Sequence, residues 1–113
     1  MVHAVLHVLV PCLLALAFYR SRWRTVLGVW LATLAVDLDH LLANPIYDPE
    51  RCSIGFHPLH TAPAIAVYAI LCAAPWLHGA LGRPWPSKHV AALHWIGGGL
   101  LIHMALDALD CWI

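Results

Sequence analysis

Charge is what this sequence has least of. Asp, Glu, Lys and Arg make up 11% of its 113 residues, where a soluble domain carries about 25%. The formal net charge is zero, which excludes a basic nucleic-acid binder, and the apolar content excludes an intrinsically disordered chain. The length leaves room for one domain, residues 1–113, and for no separate soluble catalytic unit. What fills the chain is apolar: 62% hydrophobic residues and a mean hydropathy of +0.76. An integral membrane protein is the class that remains, with any chemistry built into the membrane part itself.

A membrane-spanning helix needs about 20 mostly apolar residues. Four stretches qualify, at about 1–19, 26–43, 62–81 and 89–112. Helices fit these lengths because a helix satisfies its own backbone in lipid. The expected fold is all-α, an up-down four-helix membrane bundle. Arg20, Arg22 and Arg24 follow the first apolar run instead of preceding it, which reads as a span and not a cleaved leader. Arg20, Arg22, Arg24, Arg83 and Lys88 fall in the first and third connections. The positive-inside rule puts those connections in the cytoplasm and both termini outside, on the periplasmic face of a bacterial inner membrane. Trp23, Trp85 and Trp112 sit near span ends, as interfacial aromatics do.

The six acids are not spread evenly. Asp37, Asp39, Asp48, Glu50, Asp107 and Asp110 all fall in the outward half. His3, His7, His40, His57, His60 and His103 join them, while His78, His89 and His94 lie toward the cytoplasm. Acids contribute little to topology, so topology does not explain the sorting. An aspartate deep in a span costs about 2.5–3.5 kcal/mol on insertion scales, and such residues face the bundle interior and have partners. No Lys or Arg lies in the expected spans to pair with Asp37, Asp39 or Asp107. Carboxylate and imidazole together suit a divalent metal: zinc first, with manganese or iron as alternatives.

Helical spacing supports a shared site. His3 and His7 are four apart and share a face. Thr33, Asp37, His40 and Asn44 form a polar stripe on the second span, from which Asp39 points well away on an ideal α-helix. Ala92, Ile96, Gly99, His103, Asp107 and Asp110 form another on the fourth, small residues inward and ligand types outward. The small residues let helices approach closely. Pro11 removes the backbone donor that the His7 carbonyl would accept, freeing polar backbone there. Pro75 in the third span marks a kink, and that span carries no acid.

These motifs carry a resemblance. Asp37-Leu-Asp39-His40, the loop Arg51-Cys-Ser-Ile-Gly-Phe-His57-Pro-Leu-His60 and His103-Met-Ala-Leu-Asp107-Ala-Leu-Asp110-Cys111 resemble a small bacterial membrane family of unknown function along nearly the whole chain. More distantly they resemble the membrane-bound metal-dependent hydrolases, also described as LexA-regulated inner-membrane hydrolases. In that pattern His7 or His3 stands as the early His, Asp37, Asp39 and His40 match D-x-D-H, and His103 and Asp107 match H-x-x-x-D. The middle motif departs: His57 and His60 are three apart where the pattern has four, and its Arg-Gly pair is missing. The ligand order is also similar to zinc-dependent phospholipase C.

The expected site therefore has His7, Asp37, His40, His57, His60, His103 and Asp107 as metal ligands, with Asp39 and Asp110 as base or as residues that orient ligands. So many ligand types exceed one zinc shell, which points to two ions. The expected activity is hydrolysis of a phosphoester or lipid-linked substrate, with the bilayer as partner and no nucleic acid. The alternative is a non-catalytic metal site or a proton or metal relay, which as a transporter would need a homo-oligomer. A haem with axial His7 and His103 is disfavoured by the carboxylates around them. Cys12 and Cys72 read as apolar fillers. Cys52 and Cys111 are a candidate disulfide, the alternatives being two free thiols or Cys111 as a further ligand.

Overall fold

The computed structural model describes residues 2–42, 44, 52, 54–82 and 88–112, excepting the side chains of 2–4, 40 and 112. Asp48, Glu50, Arg51, Arg83 and Trp85 lie outside the described residues, and the His3 and His40 side chains are likewise not described. All described regular structure is helical: α1 (Val2–Phe18), α2 (Trp23–Ala32), α3 (Ala62–Cys72), α4 (Ala74–Ala80) and α5 (Lys88–Trp112). Three 3-10 segments join them, at Arg20–Arg22, Thr33–Leu42 and Pro58–His60. The molecule measures 48 × 28 × 22 Å.

α5 is the axis of the fold. Its 25 residues extend about 37 Å, and it packs against α1, α2, α3, α4 and the Thr33–Leu42 segment. It approaches them closely because it carries glycines where it crosses. A Cβ on Gly97 would collide with the α3 backbone at Cys72 N and, at 2.6 Å, at Tyr68 O. One on Gly99 would stand 2.7 Å from Trp30 Cδ1 and 2.8 Å from Thr33 Oγ1. The small-residue stripe is a packing device.

Two apolar clusters flank this axis. Ala15, Val26 and Trp30 form one, with Trp95 and Ile102 against it. Val36, Tyr68 and Met104 form the other, with Ile65, Leu100 and Leu101. Many large apolar side chains point outward, among them Leu13, Phe18, Leu38, Leu42, Ile70 and Leu81. Exposed apolar surface of this kind marks contact with a membrane or with another protein.

Helices expected to be continuous are broken. The second apolar run is α-helical only to Ala32 and then winds as 3-10 helix to Leu42. Thr33 marks the change, its hydroxyl donating to the Trp30 carbonyl at 2.5 Å, a bond that competes with helix geometry. The third run bends by 60° between Ala62–Cys72 and Ala74–Ala80, where Pro75 begins α4 without a backbone donor. Lys88–Cys111 is long and apolar enough to cross a membrane by itself. The count rises to three if each bent pair, Val5–Phe18 with Arg20–Asp39 (117°) and α3 with α4, is one span.

α1 and α5 run antiparallel. His7 meets Asp107 at one end and Tyr19 meets His94 at the other. Those contacts lie about 18 Å apart along α1. The acid-bearing end and the arginine-bearing turn at 20–24 are therefore opposite ends of one helix pair.

Candidate metal centre

The site is assembled from three elements. The Thr33–Leu42 segment brings Asp37 and Asp39, the Pro58–His60 turn brings His60, and α5 brings His103 and Asp107. The turn is shaped by its own backbone. Gly55 adopts φ 84°, a left-handed conformation that glycine allows, and its N–H donates to the His60 carbonyl at 2.9 Å. The Tyr68 hydroxyl donates to the Leu59 carbonyl at 2.8 Å. Cys52 and Cys111 form a disulfide, Cα atoms 5.2 Å apart, which ties the loop to α5 one turn past Asp107. In the chain-entropy account a bridge closing a loop of this length stabilises by about 4 kcal/mol.

Asp37, His60, His103 and Asp107 each present one ligand atom, and the four atoms lie within 4.8 Å of one another. Histidine and aspartate alternate around the group. His60 Nε2 is 3.3 Å from Asp37 Oδ1 and 3.0 Å from Asp107 Oδ2. His103 Nε2 is 2.9 Å from Asp37 Oδ1 and 3.2 Å from Asp107 Oδ2. A tetrahedral zinc with bonds of about 2.0–2.1 Å sets its ligand atoms about 3.3 Å apart. Four of the six spacings in the group fall near that value, and all six lie within 4.8 Å. His60, His103 and Asp107 are almost wholly buried, whereas the Asp37 side chain is 44% exposed. The group opens on the Asp37 side.

Asp39 is not part of that ring of ligand atoms; it holds His60. Its Oδ2 accepts from His60 Nδ1–H at 3.0 Å and from the Leu59 N–H at 2.9 Å. That fixes the tautomer and leaves His60 Nε2 turned to Asp37 and Asp107, the carboxylate–histidine arrangement that orients metal-binding imidazoles. The 3-10 winding makes this geometry available. Residues two apart lie about 160° apart on an α-helix and about 120° apart on a 3-10 helix, so Asp37 and Asp39 reach both nitrogens of one ring.

His7 lies beside the group. Its Nε2–H donates to Asp107 Oδ1 at 3.1 Å, and its ring meets His103 edge-on at 4.5 Å. It holds the carboxylate oxygen opposite the one that faces His60 and His103. His57 is buried and its ring sits 5.6 Å from His60, next to Phe56. It packs against the ligand ring without entering the four-group set. Asp110 is exposed on the last turns of α5, outside that set.

His60 lies outside the apolar segments, and its protonation responds to the cluster. Burial pulls its pKa down, but hydrogen bonds to Asp107, Asp37 and Asp39 outweigh that and raise it to about 10. In the metal-free molecule a protonated His60 offsets the surrounding carboxylates. A divalent cation placed among the same atoms would take over that role.

Sequence reasoning missed Tyr68, whose hydroxyl pins the His60 turn. The available signal was a polar-tipped ring in an otherwise apolar segment. His94 has the structural role expected of a lone histidine. It receives the Tyr19 hydroxyl on Nε2 at 2.6 Å and donates from Nδ1 to the Cys72 carbonyl at 2.6 Å.

Fold and centre together define a helical protein, with up to three candidate membrane spans among the described residues, whose clustered histidine and aspartate side chains could hold a metal ion. The chain belongs to a family of unknown function, DUF6122, whose model matches residues 1–77. The match takes in His7, Asp37, Asp39 and His60, and ends before His103 and Asp107. No curated protein and no solved structure matches the chain.

Proposed function

We propose that this protein is a metal-dependent hydrolase embedded in a bacterial inner membrane, acting at the periplasmic face on a phosphoester of a lipid or lipid-linked substrate. In this reading the two helices that meet at the 117° bend count as two antiparallel spans instead of one, which gives a four-span bundle with both termini outside and the long helix α5 at its centre. The observation that carries this reading is the convergence of Asp37, His60, His103 and Asp107, of which Asp37 is the partly exposed member. The distant resemblance of the D-x-D-H and H-x-x-x-D motifs to the membrane-bound metal-dependent hydrolases points the same way.

Catalytic zinc sites use three protein ligands and leave a position for water. His60, His103 and Asp107 are the buried three. An ion held there would supply polarisation of the phosphoryl group and a water of lowered pKa. Asp37, at the open side, accepts the water proton as oxygen attacks phosphorus and returns it to the departing alkoxide. Asp39 and His7 hold His60 and Asp107 in place. An apolar cavity of about 590 Å³, lined by Val36, Leu59, Tyr68 and Leu100, adjoins Asp37 and His60 in sequence and takes the hydrocarbon part of the substrate.

One observation favours a second reading. Four protein groups are enough to close a tetrahedral shell, which is the form of a structural zinc site. Two variants separate the readings, with metal content and hydrolysis of a panel of phosphoester lipids measured for each. In the hydrolase, Asp107→Ala loses both metal and activity, while Asp37→Asn keeps the metal and loses activity by about 10²-fold or more. Loss of metal in Asp37→Asn indicates a closed centre, and full activity in that variant overturns the assignment of Asp37.

A further inference from the structure

The end of the molecule opposite the metal centre carries two adjoining recesses of opposite character. The first is a cleft of about 700 Å³, lined by Leu14, Phe18, Trp30, Trp76, Leu101 and Ile102 among others. Its volume is that of a small-molecule site, about 300–1,000 Å³. The residues it takes from α5 run from Ala91 to Ile102, about 16 Å of helix, or roughly one leaflet of a 30 Å hydrocarbon core. Two of its polar side chains are engaged: Tyr19 donates to His94, and His94 donates to the Cys72 carbonyl, while the rest of the lining is largely apolar. The walls therefore offer hydrocarbon contact.

The second recess, of about 360 Å³, begins where the first ends. Tyr19 lines the cleft, and the next residue, Arg20, lines this recess with Arg22, Trp23 and Arg24. All three arginines are exposed, and the Arg24 guanidinium stands 5.4 Å over the Trp23 ring. The stretches that build both recesses contain no acid: Asp and Glu are absent from 1–36 and from 51–106. Three guanidinium groups at the mouth of an apolar slot one leaflet long are complementary to a phosphate carrying an acyl chain.

We propose that this end binds one anionic phospholipid, its phosphate on Arg20, Arg22 and Arg24 and one acyl chain in the cleft that α1, α2 and α5 form with Cys72 of α3 and Pro75 and Trp76 of α4. The site is separate from the metal centre and independent of its chemistry, and it rests only on the membrane placement proposed above. Resistance to carbonate extraction checks that placement separately, since a protein released by carbonate contradicts the placement itself.

The test is native mass spectrometry of delipidated, detergent-solubilised protein titrated with phosphatidylglycerol, phosphatidylcholine or glycerol phosphate. The expected result is a single bound phosphatidylglycerol, preferred at least tenfold over phosphatidylcholine, and no binding of glycerol phosphate. Arg20→Gln, Arg22→Gln and Arg24→Gln combined should abolish the preference. Ala91→Trp, which fills the cleft, should weaken both phospholipids together and keep their ratio. Unchanged helical circular dichroism and elution volume in each variant certify the fold. Equal binding of the two phospholipids by the wild type overturns the site, as does a triple variant that keeps the preference. Binding of glycerol phosphate as tight as the lipid overturns the acyl slot.

Discussion

Asp39 points away from Asp37 on an ideal α-helix, and the fold turns it onto His60. It lies 5% exposed beneath His60, with the imidazole Nδ1–H and the Leu59 N–H both donating to one oxygen. Removing its charge while keeping its shape should let the His60 ring turn or change tautomer. Asp39→Asn is expected to weaken metal affinity by about 10- to 100-fold without removing a ligand, as read by competition with a chromophoric chelator. Affinity equal to wild type would place Asp39 outside the site. The raised pKa of His60 gives a second expectation. Its value of about 10 exceeds the ordinary 6.5, so in the metal-free protein its charge stabilises fully below pH 6.5 and ceases to do so as pH rises through about 10. A metal must displace that proton, so apparent affinity should climb about tenfold per pH unit across this range. A pH-independent affinity would show that His60 Nε2 is not a ligand.

At the scale of elements, the sequence made the ends of the argument legible and left the middle obscure. The His103–Asp107 pair was readable because i and i+4 share a helix face. The sorting of acids and histidines to one end was readable from connection charges alone. The gathering of Asp37, His60, His103 and Asp107 follows from those two signals. The 3-10 winding of Thr33–Leu42 was not readable, because hydrophobic periodicity hardly distinguishes 3.0 from 3.6 residues per turn over ten residues. With it went the choice between the two roles expected of Asp39, base or orienting residue. The separation of His57 from His60 was equally hidden, since it depends on a turn closed by Gly55 and Tyr68. The glycines of α5 offer a test at this scale. Gly97→Ala places a methyl against the α3 backbone and should destabilise by about 1–3 kcal/mol. Gly28→Ala, where a Cβ meets nothing within 4 Å, should stabilise by about 0.5–1 kcal/mol. Thermal unfolding in detergent reads both, and equal shifts would contradict the close crossing of α3 and α5.

The whole molecule is a polar centre built at one end of an apolar bundle. Burying Asp39, Asp107, His60 and His103 is costly unless each charge is matched, and here each of these aspartates and histidines has a partner of the other kind. The disulfide, the Tyr68 clamp and α5 hold three separate segments to a common point. Such an arrangement is more than packing requires, since apolar residues would fill the same volume at less cost. The central claim is that it holds a metal ion. Elemental mass spectrometry of protein purified in detergent without chelators tests it most directly, beside the double variant His103→Ala with Asp107→Ala. The account predicts at least one zinc, manganese or iron per chain in the wild type and none in the variant. Absence of metal from both, or the same metal content in both, would contradict it.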